Sequence, residues 1–328
     1  MSRSTNLLIL RLAISAGLLA LLFAFVDIDF GTLWPDDGRD LAWLFAALIC
    51  IVASLVLASL RWQQVCRSLG LTVRTRQLFW HTIAGQFVSN FVPTTVGGDV
   101  LRVSRLGKDT GNKPTSFTTV VLERLSGWMV LPGAIIIGLL IDPSLRGLGA
   151  ATRGAWIAAF VTLGALVVAI IAAGNDASGR LLERYEEPLR WLHAVHAGLD
   201  VLRTKPRQIV RILGTGAIYQ GILILAFWCA AQSIGIEGFG LRAAVAFVPA
   251  VLIVQVLPLG IGGLGVREGA LVLFLGSLDV PDDQAVALGL TIYALTIVTS
   301  LMGLPSVVLG LGGDDDEDEA MTAEVEPH

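Results

Sequence analysis

The sequence predicts an all-α integral membrane protein arranged as an inverted repeat, and three observations predict it. Hydrophobic residues make up 54% of 328 residues and charged residues only 15%, whereas a soluble domain carries about a quarter charged. The apolar residues fall into blocks long enough to cross a bilayer. Two segments broken by Gly and Pro carry one pattern at matching places in the two halves.

A helix rises about 1.5 Å per residue, so a hydrocarbon core of about 30 Å takes roughly 20 apolar residues. Leu7 to Val26, Leu41 to Leu60, Ser116 to Ile141, Ala155 to Ala173, Leu213 to Ile234 and Ala285 to Leu311 meet that length. Backbone groups must be satisfied within the segment in lipid, so each block is expected to be a helix. The first block lacks an A-x-A site before its polar exit at Asp27, so it is expected to be retained as a span rather than cleaved as a leader.

Basic residues sort the loops. Arg61, Arg67, Arg74 and Arg76 follow the second block; Arg102, Arg105, Lys108 and Lys113 precede the third. Arg180, Arg184, Arg190, Arg203, Lys205, Arg207 and Arg211 lie between the fourth and fifth. The remaining loops are poor in Lys and Arg, so the positive-inside rule places the rich loops and both termini in the cytoplasm of a multi-pass protein of the cytoplasmic (inner) membrane. Two neighbouring basic loops are then separated by the apolar stretch Leu78 to Thr95. Both stay on one side if that stretch enters and leaves as a re-entrant hairpin. Ala243 to Leu278, broken at Pro258 to Gly265, reads as a second hairpin entering from the other side. The count is about six full spans plus two re-entrant hairpins; the second stretch is also long enough for two true spans, giving up to eight.

The hairpins share P-x-x-x-G-G-x-x-x-R: Pro93, Gly97, Gly98 and Arg102 in one; Pro258, Gly262, Gly263 and Arg267 in the other. Each half reads span, span, hairpin, span, at about 1–150 and 155–313, with opposite starting sides. Residues 1–313 thus form a single transmembrane domain, and 314–328 an acidic disordered tail. Inverted repeats with Gly/Pro-broken segments mark secondary transporters that bind near the midplane. Pro stops the entering helix, and paired Gly allows reversal and close backbone approach. The next helix, with Asp99 as a candidate N-cap, starts with free N–H groups that favour an anion, and an arginine one turn on offers a fork that fits phosphate. The alternative reading is that Gly and Pro only allow tight helix packing, with the arginines snorkelling to lipid headgroups.

Glu123 and Arg124 in the third block, and Glu268 beside Arg267, are charges inside apolar sequence that call for partners. Glu123 is expected to pair with Arg102 or Arg267, and Glu268 with Arg124. His81 reads as an interfacial residue at a hairpin entrance. Ser178 to Arg211 reads as an amphipathic surface helix or a plain connector. Cys50, Cys66 and Cys229 lie far apart with no metal or disulfide spacing, so they are expected to pack as apolar residues. No metal site, cofactor or catalytic constellation is expected, and no G-x-x-x-x-G-K-[ST] loop is present to hold ATP.

The chain resembles the flippase-like, lysylphosphatidylglycerol synthase transmembrane-domain family. The resemblance spans about residues 5 to 313. It rests on Pro93, Gly97, Gly98, Asp99 and Arg102, the pair Glu123 and Arg124, and the run from Pro258 through Gly262, Gly263, Arg267 and Glu268. It implies a membrane protein that moves an anionic or aminoacylated phospholipid between leaflets. Residues 312–328 are too few for an acyltransfer domain, so the chain is expected not to be an enzyme, and a separate lipid-modifying enzyme is a possible partner. Carriage of a lipid-linked sugar, action on a lipid as an enzyme, and a non-transporting partner role are the other readings. The expected partners are a phospholipid or lipid-linked headgroup and the membrane, with no nucleic acid.

Overall fold

The computed structural model describes residues 37–91, 97–173, 204–256 and 263–309. The expected first span, Pro93, Pro258, Gly262, most of the connector at 178–211 and the acidic tail lie outside the described residues. The described chain is helical: α1 (Gly38–Ser68), α2 (Thr75–Phe91), α3 (Gly97–Asp109), α4 (Lys113–Ile141), α5 (Ala150–Ala173), α6 (Pro206–Ser233), α7 (Leu241–Gln255), α8 (Val266–Leu275), α9 (Asp282–Leu301) and α10 (Leu304–Leu309). Five of these, α1, α4, α5, α6 and α9, are long and apolar enough to cross a membrane. They correspond to the five expected spans within the described residues.

Local sequence sets the ends. Asp37 caps α1, its carboxylate accepting from the N–H groups of Arg39 and Asp40 at 2.8 and 2.9 Å. Gly70, at φ +82°, closes α1 with the left-handed turn that a side chain disfavours. Asn112 caps α4 through the Thr115 N–H, and Pro114 sits in the first turn. Two boundaries differ from the sequence expectation. The expected last span stops at Leu301, and Gly303, against the Ile83 backbone, separates it from α10. α1 runs on through Ser68, so Arg61 is not a loop residue but a buried part of the helix. Arg102, Arg105 and Lys108 likewise lie on α3.

The two Gly/Pro-broken stretches fold as antiparallel helix pairs. His81 on α2 meets Asp109 on α3 at 2.6 Å at the open end, while Gly98 lies against the Gly85 carbonyl and the Ser89 hydroxyl near the tip. In the second pair Phe247 of α7 stacks on Phe274 of α8 at 5.6 Å, and Gly263 approaches Gln255 near the tip. His81, at the entrance of the first pair, is buried inside the protein.

The packing pairs element with element. α1 lies antiparallel along α6, with Trp43 on Trp228 at one end and Gln64 on Thr215 at the other. α4 packs on α7 and α9 on α2; α3 touches α4 and α8 touches α9. Matching α1, α2, α3 and α4 to α6, α7, α8 and α9 maps the α1–α6 contact onto itself, α4–α7 onto α9–α2 and α3–α4 onto α8–α9. The apolar core is built mainly where α7 enters between α4, α5 and α6, around Phe247, Ala246, Leu139 and Ala230. Cys66 and Cys229 are buried and Cys50 packs partly buried beside the core, all with free thiols.

Close approach at α4 and α7 depends on Gly138, where a Cβ would sit 2.6 Å from the backbone of Ala246. Gly138→Ala is expected to destabilise by about 1–3 kcal/mol through overpacking. Gly133, on the same helix with open space around it, is the control: Gly133→Ala should be neutral or gain up to about 1 kcal/mol from helix propensity. Thermal midpoints of the two purified variants check the contrast.

Candidate functional site

Between the two helix pairs lies a cavity of about 470 Å³, within the range of about 300–1,000 Å³ usual for ligand sites. Gly98, Asp99 and Arg102 reach it from α3, Glu123 and Arg124 from α4, and Gly263 and Arg267 from the second pair. Seven of the residues singled out in the sequence thus converge, including both pattern arginines. Gly97 and Glu268 do not line it.

Glu123 is the hub. Its Oε1 accepts from Arg61 Nε at 3.1 Å and also from Arg61 Nη2, and its Oε2 accepts from Arg102 Nη1 and Nη2 at 3.4 and 3.3 Å. Arg61, Arg102 and Glu123 retain only 5%, 8% and 3% of their exposure, so these are ion pairs inside the bundle. Arg102 also faces the Trp62 ring at 4.1 Å, and Arg61 the Tyr219 ring at 4.8 Å, contacts that favour a partly desolvated guanidinium. Asp99 sits in the first turn of α3, not at its N-cap. It holds Arg124 Nε at 2.5 Å and lies 3.5 Å from Arg102 Nη1.

Across the cavity Arg267 pairs with its own neighbour. Glu268 Oε1 accepts from Arg267 Nε and Nη2 at 3.1 and 2.6 Å, and Glu268 Oε2 accepts from the Gly265 N–H at 2.6 Å. The second contact caps the start of α8. The expected Glu268–Arg124 pair is absent, because Gly265 and Arg267 already take both carboxylate oxygens and Asp99 takes Arg124. Arg267 lies over the Tyr293 ring at 5.4 Å, as Arg102 lies over Trp62.

Arg61 is the residue the sequence reading missed as a site member. It ends the apolar run Leu41 to Leu60, which placed it among the loop cations. Trp62 and Cys66, both fully buried, continue the apolar face of α1 beyond it and are the signal for a longer helix. Several polar atoms remain buried without a hydrogen-bond partner, among them Arg61 Nη1 and Arg102 Nε. Buried guanidinium N–H groups left over in a cavity are ready donors to an anion. Among the described residues no His, Cys, Asp and Glu group is arranged to hold a metal ion.

Comparison with known proteins agrees with the sequence resemblance. A curated archaeal protein described as "UPF0104 membrane protein", from Methanothermobacter thermautotrophicus (strain Delta H), is 25% identical over 268 residues, covering 76% of this chain and 79% of its own length. No solved structure matches the chain. The family described as "Lysylphosphatidylglycerol synthase TM region" matches residues 8–303, so this chain belongs to that family of membrane proteins.

Proposed function

We propose that the protein moves a phospholipid between leaflets, holding an anionic headgroup in the cavity between the two helix pairs. One observation carries this: three buried arginines from three different helices meet at one cavity, two of them with an unpaired N–H group, in a protein otherwise built to live in lipid. Walls of Leu55, Leu131, Phe227 and Leu252 continue from the charged cluster and suit the apolar part of a lipid. The protein is not an enzyme in this reading; a separate enzyme makes or modifies the lipid.

The two pairs are re-entrant hairpins. α2 and α3, of 17 and 13 residues, are about 25 and 20 Å long, short of a core of about 30 Å, and the reciprocal packing supports an inverted repeat. One end of the bundle gathers Arg67, Arg74, Arg76, Lys108, Lys113 and Lys205, the last donating to the Ser68 carbonyl at 2.9 Å. The opposite end carries Asp37, Asp142, Glu237 and Asp279 with fewer cations. The basic end faces the cytoplasm of the inner membrane.

Two experiments test these points. Purified protein in liposomes with a labelled phosphatidylglycerol should equilibrate the label across the bilayer faster than protein-free liposomes, without ATP; equal rates would remove the transport reading. In whole cells, cysteines placed at Thr72, Lys108 and residue 187 should all resist a membrane-impermeant thiol reagent, while one at Asp282 should react. Reaction at Lys108 but not at Thr72 would turn the first hairpin into a true crossing.

A further inference from the structure

Among the fully buried side-chain atoms without a partner, the cavity-lining residues contribute three donors, Arg61 Nη1, Arg102 Nε and Asn90 Nδ2, and one acceptor, Gln220 Oε1. The carboxylates are already committed. Glu123 serves Arg61 and Arg102, Asp99 serves Arg124 and Arg102, and Glu268 serves Arg267 and the Gly265 N–H. Three of the aromatic faces at the site are taken as well, while Trp128 and Phe227 also line the cavity. Trp62, Tyr219 and Tyr293 each lie under an arginine. Arg61, Arg102, Arg124 and Arg267 outnumber Asp99, Glu123 and Glu268, which leaves one positive charge in excess.

An ammonium group offers three donors and no acceptor. It is held best by a carboxylate, and among the described residues Asp99, Glu123 and Glu268 are all already paired with arginines; it also meets four guanidinium groups of its own sign. A phosphate diester offers acceptors and a negative charge, the complement of what is left over. We infer that the site selects a lipid whose headgroup carries phosphate and no ammonium, such as phosphatidylglycerol, over the aminoacyl ester of the same lipid. This narrows the substrate class of the transport reading above and rests on it.

The test is binding to the full-length protein in an uncharged detergent, read by intrinsic tryptophan fluorescence because Trp62 and Trp128 border the site. The probes are short-chain phosphatidylglycerol, its lysyl ester, short-chain phosphatidylcholine and inorganic phosphate. Phosphatidylglycerol should bind at least about tenfold more tightly than the lysyl ester and the choline lipid, the effect of a single unfavourable charge contact. Asn90→Asp, which adds a free carboxylate at the cavity, should close much of the gap to the lysyl ester. Equal or tighter binding of the lysyl ester to the unsubstituted protein overturns the inference; transport of labelled phosphatidylglycerol in liposomes, measured in parallel, then shows whether the transport reading survives. Inorganic phosphate binding as tightly as either lipid also overturns it, because the site then reads a free anion. The choline lipid needs no variant, so the comparison stands even where Asn90→Asp does not fold.

Discussion

Glu123→Ala is expected to destabilise the protein by about 3–5 kcal/mol, the cost of removing one partner from a buried ion-pair group. At about 2–4 °C per kcal/mol for a large domain, the thermal midpoint should fall by on the order of 10 °C. The reason is geometric. Glu123 on α4 is the shared counterion of Arg61 on α1 and Arg102 on α3, so its loss leaves the buried Arg61 without a counterion and Arg102 with only the 3.5 Å contact to Asp99, which also holds Arg124. Arg61 Nη1 and Arg102 Nε already lack partners, and nothing nearby is free to take over. The triple variant Arg61→Met/Arg102→Met/Glu123→Leu removes all three charges and should recover most of the lost stability, because well-packed apolar replacements of a buried ionic group are often neutral or stabilising. It should nevertheless move no lipid. A midpoint within a degree or two of the parent in Glu123→Ala would show that the group does not depend on this carboxylate.

The contrast between the triple and the single variant also explains why these charges were only partly legible in sequence. Hydropathy finds a span by its apolar length, and it stops at the first charge. That rule located the five described spans, yet it cut α1 short at Leu60, because Arg61 neutralises its charge against Glu123, a residue 62 positions away. Pairing across that separation leaves no local trace. The shared Gly-Gly pattern of the two broken stretches was legible for the opposite reason. Gly98 must be Gly, since the Gly85 carbonyl and Ser89 hydroxyl occupy the space of a Cβ, and backbone demands of this kind are written at fixed positions in both halves. The partner of Arg102 was foreseeable because Glu123 lies in the next apolar block. That of Glu268 was not. A guanidinium turning back on its immediate neighbour, while the same carboxylate caps α8, needs the backbone turn at Gly265 (φ +80°), which a one-dimensional pattern does not carry.

Arg102→Lys and Arg267→Lys should each slow lipid movement in liposomes, although the charge is kept. In the transport reading each guanidinium does two jobs at once, holding a carboxylate and meeting the headgroup. Arg102 gives Nη1 and Nη2 to Glu123 and retains Nε; Arg267 gives Nε and Nη2 to Glu268 while lining the same cavity. A lysine ammonium is a single point on a flexible stem. It can hold the carboxylate or reach a phosphate, but it does not present a rigid fork to both. The ion pair and its contribution to folding should therefore largely survive, and the contact to the headgroup should go. A hydrogen bond to a charged group contributes about 1.5–3 kcal/mol, so headgroup affinity should drop roughly ten- to a hundredfold. If the arginines merely anchored the helices at headgroup depth, lysine would snorkel as well, and both variants would insert, remain monodisperse and transport at the parent rate. Parent rates in both would remove the phosphate contact and leave the matched segments as packing devices. Slow transport at an unchanged thermal midpoint is the result expected, because only a ligand-facing N–H has been withdrawn.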